Sequence, residues 1–518
     1  MAALLTINGC NVEAAPGVTI FDCAESVGIH VPTSCHKQGK CRECMVEVTG
    51  GMEYLSESTD RERHLSGAFR LSCRTSIQGD GRVRCHTMRR GHMRIERQAV
   101  GLPLFEAHVP RPGFGLAMDL GTTTVVLRLL NLETGELVAD ASFENPQRFG
   151  GSDVMARIHY DTLHPGKLLR RTLAGYLSHA IEELPVDPKA IREMVVVGNS
   201  TMRDLFFRQN VYSIGQSPYQ SITEIEMAAG KRATTSLTES GRRCLLPIHP
   251  DAEVYGAPVI SGHVGADAAA CMLAVDLAHE DRVVAIMDIG TNTELIMGNR
   301  HRILAASCPA GPAFEGGAIA CGMPALDGAI EDVRIDDEGG FQLDVIGGGA
   351  PLGICGSGLV SLMSELMRTG RMNDRGRFEH DVERMVLDEA NNVYFVESDV
   401  NELAQAKGAN VAGLQTVFSN YGIGFDQVDV FYLAGGFGRH LDVDAAARIG
   451  LIPGIAKSRI VQVGNAAIEG ASMALLSPAK RQEMEDLVRR VEHCRLETHP
   501  DFFDFFVDGC QFRQVVLQ

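Results

Sequence analysis

The sequence predicts a small α+β domain followed by a larger α/β part built from a duplicated unit. Three observations predict this. Three of the chain's 14 cysteines, Cys35, Cys41 and Cys44, crowd into ten positions. Two distant segments, "GLAMDLGTTTVVLRLLNLETGEL" at 115–137 and "VVAIMDIGTNTELIMGNRHRI" at 283–303, share one grammar of apolar strand, Asp, apolar residue, Gly-Thr-x-Thr, apolar strand and turn. A second pair, "MVVVGNSTM" at 194–202 and "IVQVGNAAIEGASMA" at 460–474, runs from a buried strand through Gly-Asn into a helix start.

Composition narrows the function classes. A chain of 518 residues, 45% of them apolar, buries large cores and makes about two or three domains. Its formal charge of -18 favours solubility and disfavours nucleic acid as a partner. No run of about eighteen apolar residues is present, and "MAALLTINGC" has neither a basic region nor a cleavage site, so the expectation is a cytoplasmic protein with no membrane partner. In that compartment clustered cysteines point to metal binding or catalysis and not to a disulfide framework. Cys244, Cys271, Cys321 and Cys494 are expected as small core residues.

From the N-terminus, "LLTINGCNVEAAPGVTIFDCAESVGIHVPTSC" gives a strand, a turn at Asn8-Gly9, a second strand and a helix around Phe21 to Val27. "CMVEVTGG" gives a strand leaving the cysteine loop. The spacing Cys35-x5-Cys41-x2-Cys44, with the next thiol at Cys73, lacks the second CxxC or the histidine pair common in zinc sites. Three clustered thiolates and a remote fourth suit a 2Fe-2S cluster. Over residues 1–88 the chain resembles the β-grasp 2Fe-2S ferredoxin domain, with adrenodoxin-like rather than plant-type spacing, and the resemblance makes Cys35, Cys41, Cys44 and Cys73 the ligands. Cys10, Cys23 and Cys85 do not fit that pattern, and Cys23 is expected in the core.

Residues 89–113 are expected to form a linker. "RVRCHTMRRGHMRIERQ" from Arg82 carries six arginines against the single acid Glu96, and "GLPLFEAHVPRPGFG" adds three prolines and three glycines. A solvated linker is the simpler expectation; a basic strap docked on an acidic surface is the other.

Beyond it lie the duplicated units, expected at 114–277 and 278–518, with a C-terminal helix returning to the first. Each Gly-Thr turn exposes amides and hydroxyls that can hold phosphate oxygens, and each preceding Asp can hold Mg2+ or its waters. "VFYLAGGFGRHLD" at 430–442 runs a buried strand into Gly435-Gly436-Phe437-Gly438, where missing side chains let the chain lie against a nucleoside. In "IGGGAPLGICGSGLVSLMSELMRTG" a glycine-rich turn feeds a helix whose Leu359, Leu362, Met363 and Leu366 share a core face, with a candidate anion site at Gly356, Ser357 and Gly358.

Together these segments resemble the ATPase superfamily of actin, Hsp70 and the sugar kinases, whose fold is two ribonuclease-H-like lobes closing on ATP. The resemblance implies a first phosphate motif from Asp119 to Thr124, with Asp119, Gly121, Thr122, Thr123 and Thr124, and a second from Asp288 to Glu294, with Asp288, Gly290, Thr291, Asn292 and Thr293. It makes Gly435 to Gly438 the adenosine motif and the two Gly-Asn segments the hinge-side connectors. Residues 325–425 match this plan poorly. Glu315 is a candidate for polarising the attacking water, or else an acid at a helix start on the surface.

The whole chain resembles the reductive activators of corrinoid enzymes. The resemblance implies one 2Fe-2S cluster, ATP and Mg2+, and an ATP-dependent return of one electron to Co(II), giving Co(I). The expected partners are a corrinoid protein or cobalamin-dependent methyltransferase, methionine synthase among the compatible ones, and an upstream low-potential electron donor. Oligomeric state, a homodimer included, stays open. "PAGPAFEGG" and "GICGSGL" resemble segments of that family's large domain. The chain leaves little room for a separate middle domain upstream of Asp119, and neither Cys494 nor Cys510 lies in a CxxCxxC run that would hold 4Fe-4S clusters. Competing expectations are a metabolite kinase with a redox appendage and an electron shuttle with a degenerate nucleotide site. An activator of 2-hydroxyacyl-CoA dehydratases would use a 4Fe-4S cluster shared between subunits instead.

Overall fold

Alternating burial along β1 (Ala3–Ile7), with Ala3, Leu5 and Ile7 fully buried, marks a strand with one face on a core. The computed structural model describes residues 3–65, 67–88, 102, 107–379, 382–436, 438 and 440–515. Asn8 and Gly9, at φ 49° and 83°, close a tight hairpin to β2 (Cys10–Ala14). Helix α1 (Ile20–Ser26) starts where Thr19 accepts the Asp22 amide. With β3 (Met45–Gly50), β4 (Phe69–Leu71) and β5 (Arg82–Thr87) these strands form a sheet of order β2-β1-β5-β3-β4. The arginine-rich segment thus begins as β5, parallel to β1 at the centre of this sheet. The rest of the expected linker up to Gly101, and residues 103–106, lie outside the described residues.

The second sheet contains β6 (Phe114–Leu120), β7 (Thr124–Asn131), β8 (Leu137–Glu144), β9 (Ile191–Val197), β10 (Leu237–Ser240) and β11 (Glu253–Gly256). Its order is β10-β11-β9-β6-β7-β8. The third contains β12 (Val284–Asp288), β13 (Thr293–Gly298) and β14 (Ile303–Cys308), and later β20 (Val430–Ala434), β21 (Ile460–Gly464) and β22 (Val491–His493), in the order β21-β20-β12-β13-β14-β22. In both sheets an antiparallel three-strand meander is extended by parallel strands. The central strands β6 and β12 read as nearly unbroken apolar runs because both of their faces are buried.

Around the second sheet lie α2 (Val154–Leu163), α3 (Leu168–Glu182), α4 (Ser200–Phe206), α5 (Ile222–Ala228), α6 (Gly241–Cys244) and α7 (Ala266–Ala274). The described part of residues 325–425, expected to match the superfamily plan poorly, builds β15 (Ala329–Ile335), β16 (Phe341–Val345) and β17 (Gly353–Ile354), the hairpin β18 (Arg384–Asp388) and β19 (Val393–Val396), and the long helices α8 (Gly356–Arg368) and α9 (Glu397–Tyr421). Leu359, Leu362, Met363 and Leu366 of α8 are fully buried, as their spacing predicts. The chain ends with α10 (Val443–Arg448), α11 (Ala466–Leu476), α12 (Pro478–Val488) and α13 (Phe502–Gly509).

One core joins the two large sheets: Ala117, Val195 and Val197 from the second and Ile286, Ile296 and Tyr432 from the third pack on α7 and α11. The helices crossing between lobes are therefore α7 and α11. The Gly-Asn segment at 194–202 corrects the expected connector pair, because its helix α4 packs on α2 and α3 within the first lobe. Helix α12 also packs on α7, whereas α13 packs on α9 in the second lobe. Among the described residues no helix is long and apolar enough to cross a membrane.

Candidate functional site

Two sites emerge. The first is the cysteine loop. Positive φ values at His36, Lys37, Gly39 and Arg42 curl residues 35–44 into a cradle. Cys35 and Cys41 are half-buried, and Cys44 and Cys73 are buried. The Cys44 thiol donates to Cys73 at 3.2 Å, and the Lys40 amide donates to the Cys35 sulfur at 3.4 Å. Burial acts to raise the Cys35 thiol, but the amides and thiol around it win and bring it down to about 7. The Cys44 hydrogen bond lowers Cys73. Sulfurs converging on amide donors match the donor set of an anionic iron-sulfur cluster, so these four residues fit a 2Fe-2S group. Elsewhere in this domain Cys23 and Cys85 are buried and Cys10 is exposed.

The loop is held against the first lobe. Glu43, beside Cys44, accepts Tyr176 Oη on its carbonyl at 2.7 Å and pairs with His179 Nε2 at 3.1 Å. Tyr160 Oη donates to the His64 carbonyl at 2.7 Å. Met45 and Met88 belong to the same core as the first lobe's Phe149 and Tyr176.

The second site is a cleft of about 250 Å³ between the lobes. It is lined by Asp119, Gly121, Thr122, Thr123 and Thr124 from one turn and by Asp288, Gly290, Thr291 and Asn292 from the other. Gly435, Gly436 and Gly356 close it. Thr293 is buried in β13 and does not line it, nor does Gly438, and Phe437 lies outside the described residues. Thr123 Oγ1 lies 2.8 Å from Thr291 Oγ1, so the two turns touch. Of the two alternatives for Glu315 the surface acid is excluded: it accepts Thr123 Oγ1 at 2.9 Å and Thr291 Oγ1, bridging the lobes. At Gly435, φ 93°, a Cβ would come within 2.4 Å of the Ile289 carbonyl. Only glycine lets this strand end approach the second turn so closely.

The Gly-Asn repeats now have a physical role. Asn199 caps α4 and donates to Thr122 Oγ1 at 2.9 Å, and Asn465 caps α11 and donates to Asp119 Oδ2 at 2.7 Å. Two lining or supporting residues have no motif to mark them, Asp267 at the start of α7 and Asn145, which donates to the Gly121 carbonyl at 2.8 Å, while Glu294, the last residue of the second motif, lies opposite Asp288. Cys271, expected as a plain core residue, donates to Asp288 Oδ2 at 3.3 Å, and Cys321 is only half-buried. Burial pushes Asp119 up to about 7, with Asp288 adding to the rise against the Asn465 hydrogen bond. Burial and then Asp119 push Asp267 up to about 7, and burial alone takes Asp288 to about 6. Glu294 and Glu315 are raised by burial too. Among the described lining residues none is Lys or Arg, so bound phosphates would meet only amides, hydroxyls and whatever cation the acids hold.

This pairing of a four-cysteine loop with a two-turn cleft has known counterparts. Residues 5–78 match the 2Fe-2S iron-sulfur cluster binding domain, 114–280 the RACo middle region, and 282–517 the C-terminal domain of RACo, the ASKHA domain. A solved structure described as a reductive activator for a corrinoid, iron-sulfur protein superposes with TM-score 0.72 at 25% identity, over 99% of this chain and 98% of that one. The chain belongs to the RACo family of reductive activators. Within that family it is 28% identical over 597 residues to the corrinoid activation enzyme RamQ of Eubacterium limosum, with 98% of each chain covered. It is 24% identical over 421 residues, 76% of each chain, to a Co(II) methylated amine-specific corrinoid protein reductase of Methanosarcina barkeri. The RACo middle region starts with β6, so the middle domain for which the sequence leaves little room upstream of Asp119 is the first lobe itself.

Proposed function

We propose that this chain is an ATP-dependent reductase that returns one electron to the Co(II) form of a corrinoid protein, giving Co(I), while ATP and water become ADP and phosphate. The observation that carries this is the physical joining, in one chain, of a four-thiol loop and a two-lobed cleft through Glu43, Tyr176 and Tyr160. The division is residues 1–88 for electron transfer, 89–113 for the connection, and 114–277 and 278–518 for the lobes.

Cys35, Cys41, Cys44 and Cys73 would hold the cluster, which supplies a one-electron carrier taking electrons from a low-potential donor. The Gly39 to Cys41 backbone keeps amides aimed at these sulfurs and so favours their thiolate forms. In the cleft, amides and hydroxyls of Gly121 to Thr124 and of Gly290 to Asn292 hold the phosphates. Asp119, Asp288 and Asp267 would hold Mg2+ or its waters, and its charge would offset both the acids and the phosphates. Glu315, made more basic by burial, orients and polarises the attacking water. Because it bonds to both turns, it acts only when the lobes are closed.

Plant-type 2Fe-2S centres lie near about -400 mV, and each ~100 mV uphill costs about 2.3 kcal/mol per electron. ATP can contribute only through different affinities for two states, so it acts on docking and release of the corrinoid protein. The partner is a corrinoid protein serving a cobalamin-dependent methyltransferase. ATPase turnover of the reconstituted chain tests this: stimulation by a Co(II) corrinoid protein and not by small hydroxylated metabolites supports it. A phosphorylated metabolite as product would replace it with the kinase reading.

A further inference from the structure

The short turn Pro146–Gly150 touches both sites. It begins at Asn145, a fully buried residue whose amide donates to the Thr123 carbonyl at 2.7 Å and whose side chain donates to the Gly121 carbonyl at 2.8 Å. Asn145 Oδ1 also accepts the Gln147 amide at 2.9 Å, fixing the turn to the first Gly-Thr loop. Three residues on, Arg148 reaches out of the first lobe. Its guanidinium lies 3.2 Å from Glu47 Oε2 in the cluster-bearing domain and 3.3 Å from Glu144 Oε1. Glu47 is also 2.9 Å from His86 Nε2. Its strand, β3, follows directly on Cys44 and pairs with β4, which ends two residues before Cys73. The next residue of the turn, Phe149, packs edge-on against His64 of the cluster-bearing domain and Tyr160 of α2, with ring centroids 5.9 and 5.4 Å apart. Inward, the charge of Arg148 is felt by Glu315 in the cleft.

We propose that Arg148 is a positioning residue that couples the Gly121–Thr124 turn to β3, so that a nucleoside triphosphate in the cleft changes how the cluster-bearing domain is held. This deepens the reading of the chain as an ATP-dependent reductase and rests on it. The Arg148 and Glu47 side chains are 25% and 17% exposed, so their attraction is screened less than that of a surface pair. A phosphate seated on Gly121 to Thr124 bears on carbonyls that Asn145 holds, and the turn that Asn145 caps carries that bias to Arg148 three residues on. Coupling of this kind is reciprocal, so loosening Glu47 also changes nucleotide affinity by the same factor.

The test uses the full reconstituted chain and the variants Arg148→Ala, Arg148→Lys, Glu47→Gln and the double variant R148A/E47Q. Hydrogen exchange across Met45–Gly50 and the electron-spin spectrum of the reduced cluster are recorded with and without a non-hydrolysable ATP analogue and magnesium. The expected result is a nucleotide-dependent change in both signals for the wild type. That change is lost in R148A and in E47Q with no further loss in the double variant, and is partly retained in R148K. Cluster content per chain stays equal throughout. E47Q leaves the cleft untouched, so it decides the matter should R148A fold poorly. A wild type that shows no nucleotide effect, or an R148A that keeps all of it, overturns the proposal, and ATP-dependent Co(I) formation would then still uphold the wider reading. A coupling lost in both single variants, with no corrinoid protein ever reduced, would leave the proposal standing and the wider reading refuted.

Discussion

Gly470 on α11 should resist even a methyl group. A Cβ there would lie 2.0, 2.6 and 2.7 Å from the carbonyl oxygen, carbonyl carbon and Cα of Ala270 on α7. Ordinary contact needs about 3.5 Å, so the helices must part by about 1 Å or more, and no rotamer can relieve a clash with backbone. Overpacking of this kind costs ~3 kcal/mol at the upper end of its range. Replacing a helical glycine by alanine returns about 1 kcal/mol of helix propensity. The net for Gly470→Ala is about 2 kcal/mol destabilising, a fall in Tm of about 4–8 °C. Because α11 also carries Asn465, 2.7 Å from Asp119, ATPase activity should fall with it. Thermal unfolding and phosphate release on the same preparation check both. A variant of raised Tm would refute the reasoning, since propensity would then have prevailed and the interlobe crossing would be looser than described.

Further outcomes follow from the two sites. Glu315→Gln should keep nucleotide binding and lose about 10²–10⁴ in ATP turnover, measured by phosphate release. Cys73→Ser should abolish the visible absorption of the cluster, whereas Cys10→Ser, at an exposed position, should leave it intact. Asp119, Asp267 and Asp288 are raised to about 7, about 7 and about 6, so between pH 4 and 7 these three carboxyls hold more protons in the folded chain than in the unfolded one. Their contribution to the stability of the nucleotide-free protein should therefore fall as pH rises through that window, measured as the difference in pH dependence between the wild type and Asp119→Asn. Magnesium-ATP affinity should rise over the same window, with proton release detectable by calorimetry in buffers of different ionisation enthalpy; pH-independent binding would contradict this.

The sequence carried the site's local parts well. Asp-x-Gly-Thr repeats and Gly-Asn strand ends are short-range signals, and the residues that make them meet in the cleft because each sits at the end of a strand in one of the two large sheets. Residues whose role depends on contacts across the chain were less legible. Asp267 is the second residue of an alanine-rich helix, a pattern that looks like ordinary core until α7 is seen to cross α11. Asn199 and Asn465 look equivalent in sequence, yet only the helix behind Asn465 reaches the other lobe. For Glu315 the sequence leaves a water-polarising acid and a surface acid both open, because its bonds to Thr123 and Thr291 span 192 and 24 residues. The seating of the cluster loop is likewise invisible locally, since Glu43 meets Tyr176 and His179, on one face of α3, more than 130 residues away.

The central claim is that one chain couples nucleotide turnover to reduction of cobalt. Its most direct test is the anaerobic optical spectrum of a Co(II) corrinoid protein mixed with this protein and a low-potential reductant, with and without magnesium-ATP. The account predicts Co(I) only when ATP is present, and its loss in both Cys41→Ser and Asp288→Ala. Co(I) forming at the same rate without ATP, or in the Asp288→Ala variant, would contradict it.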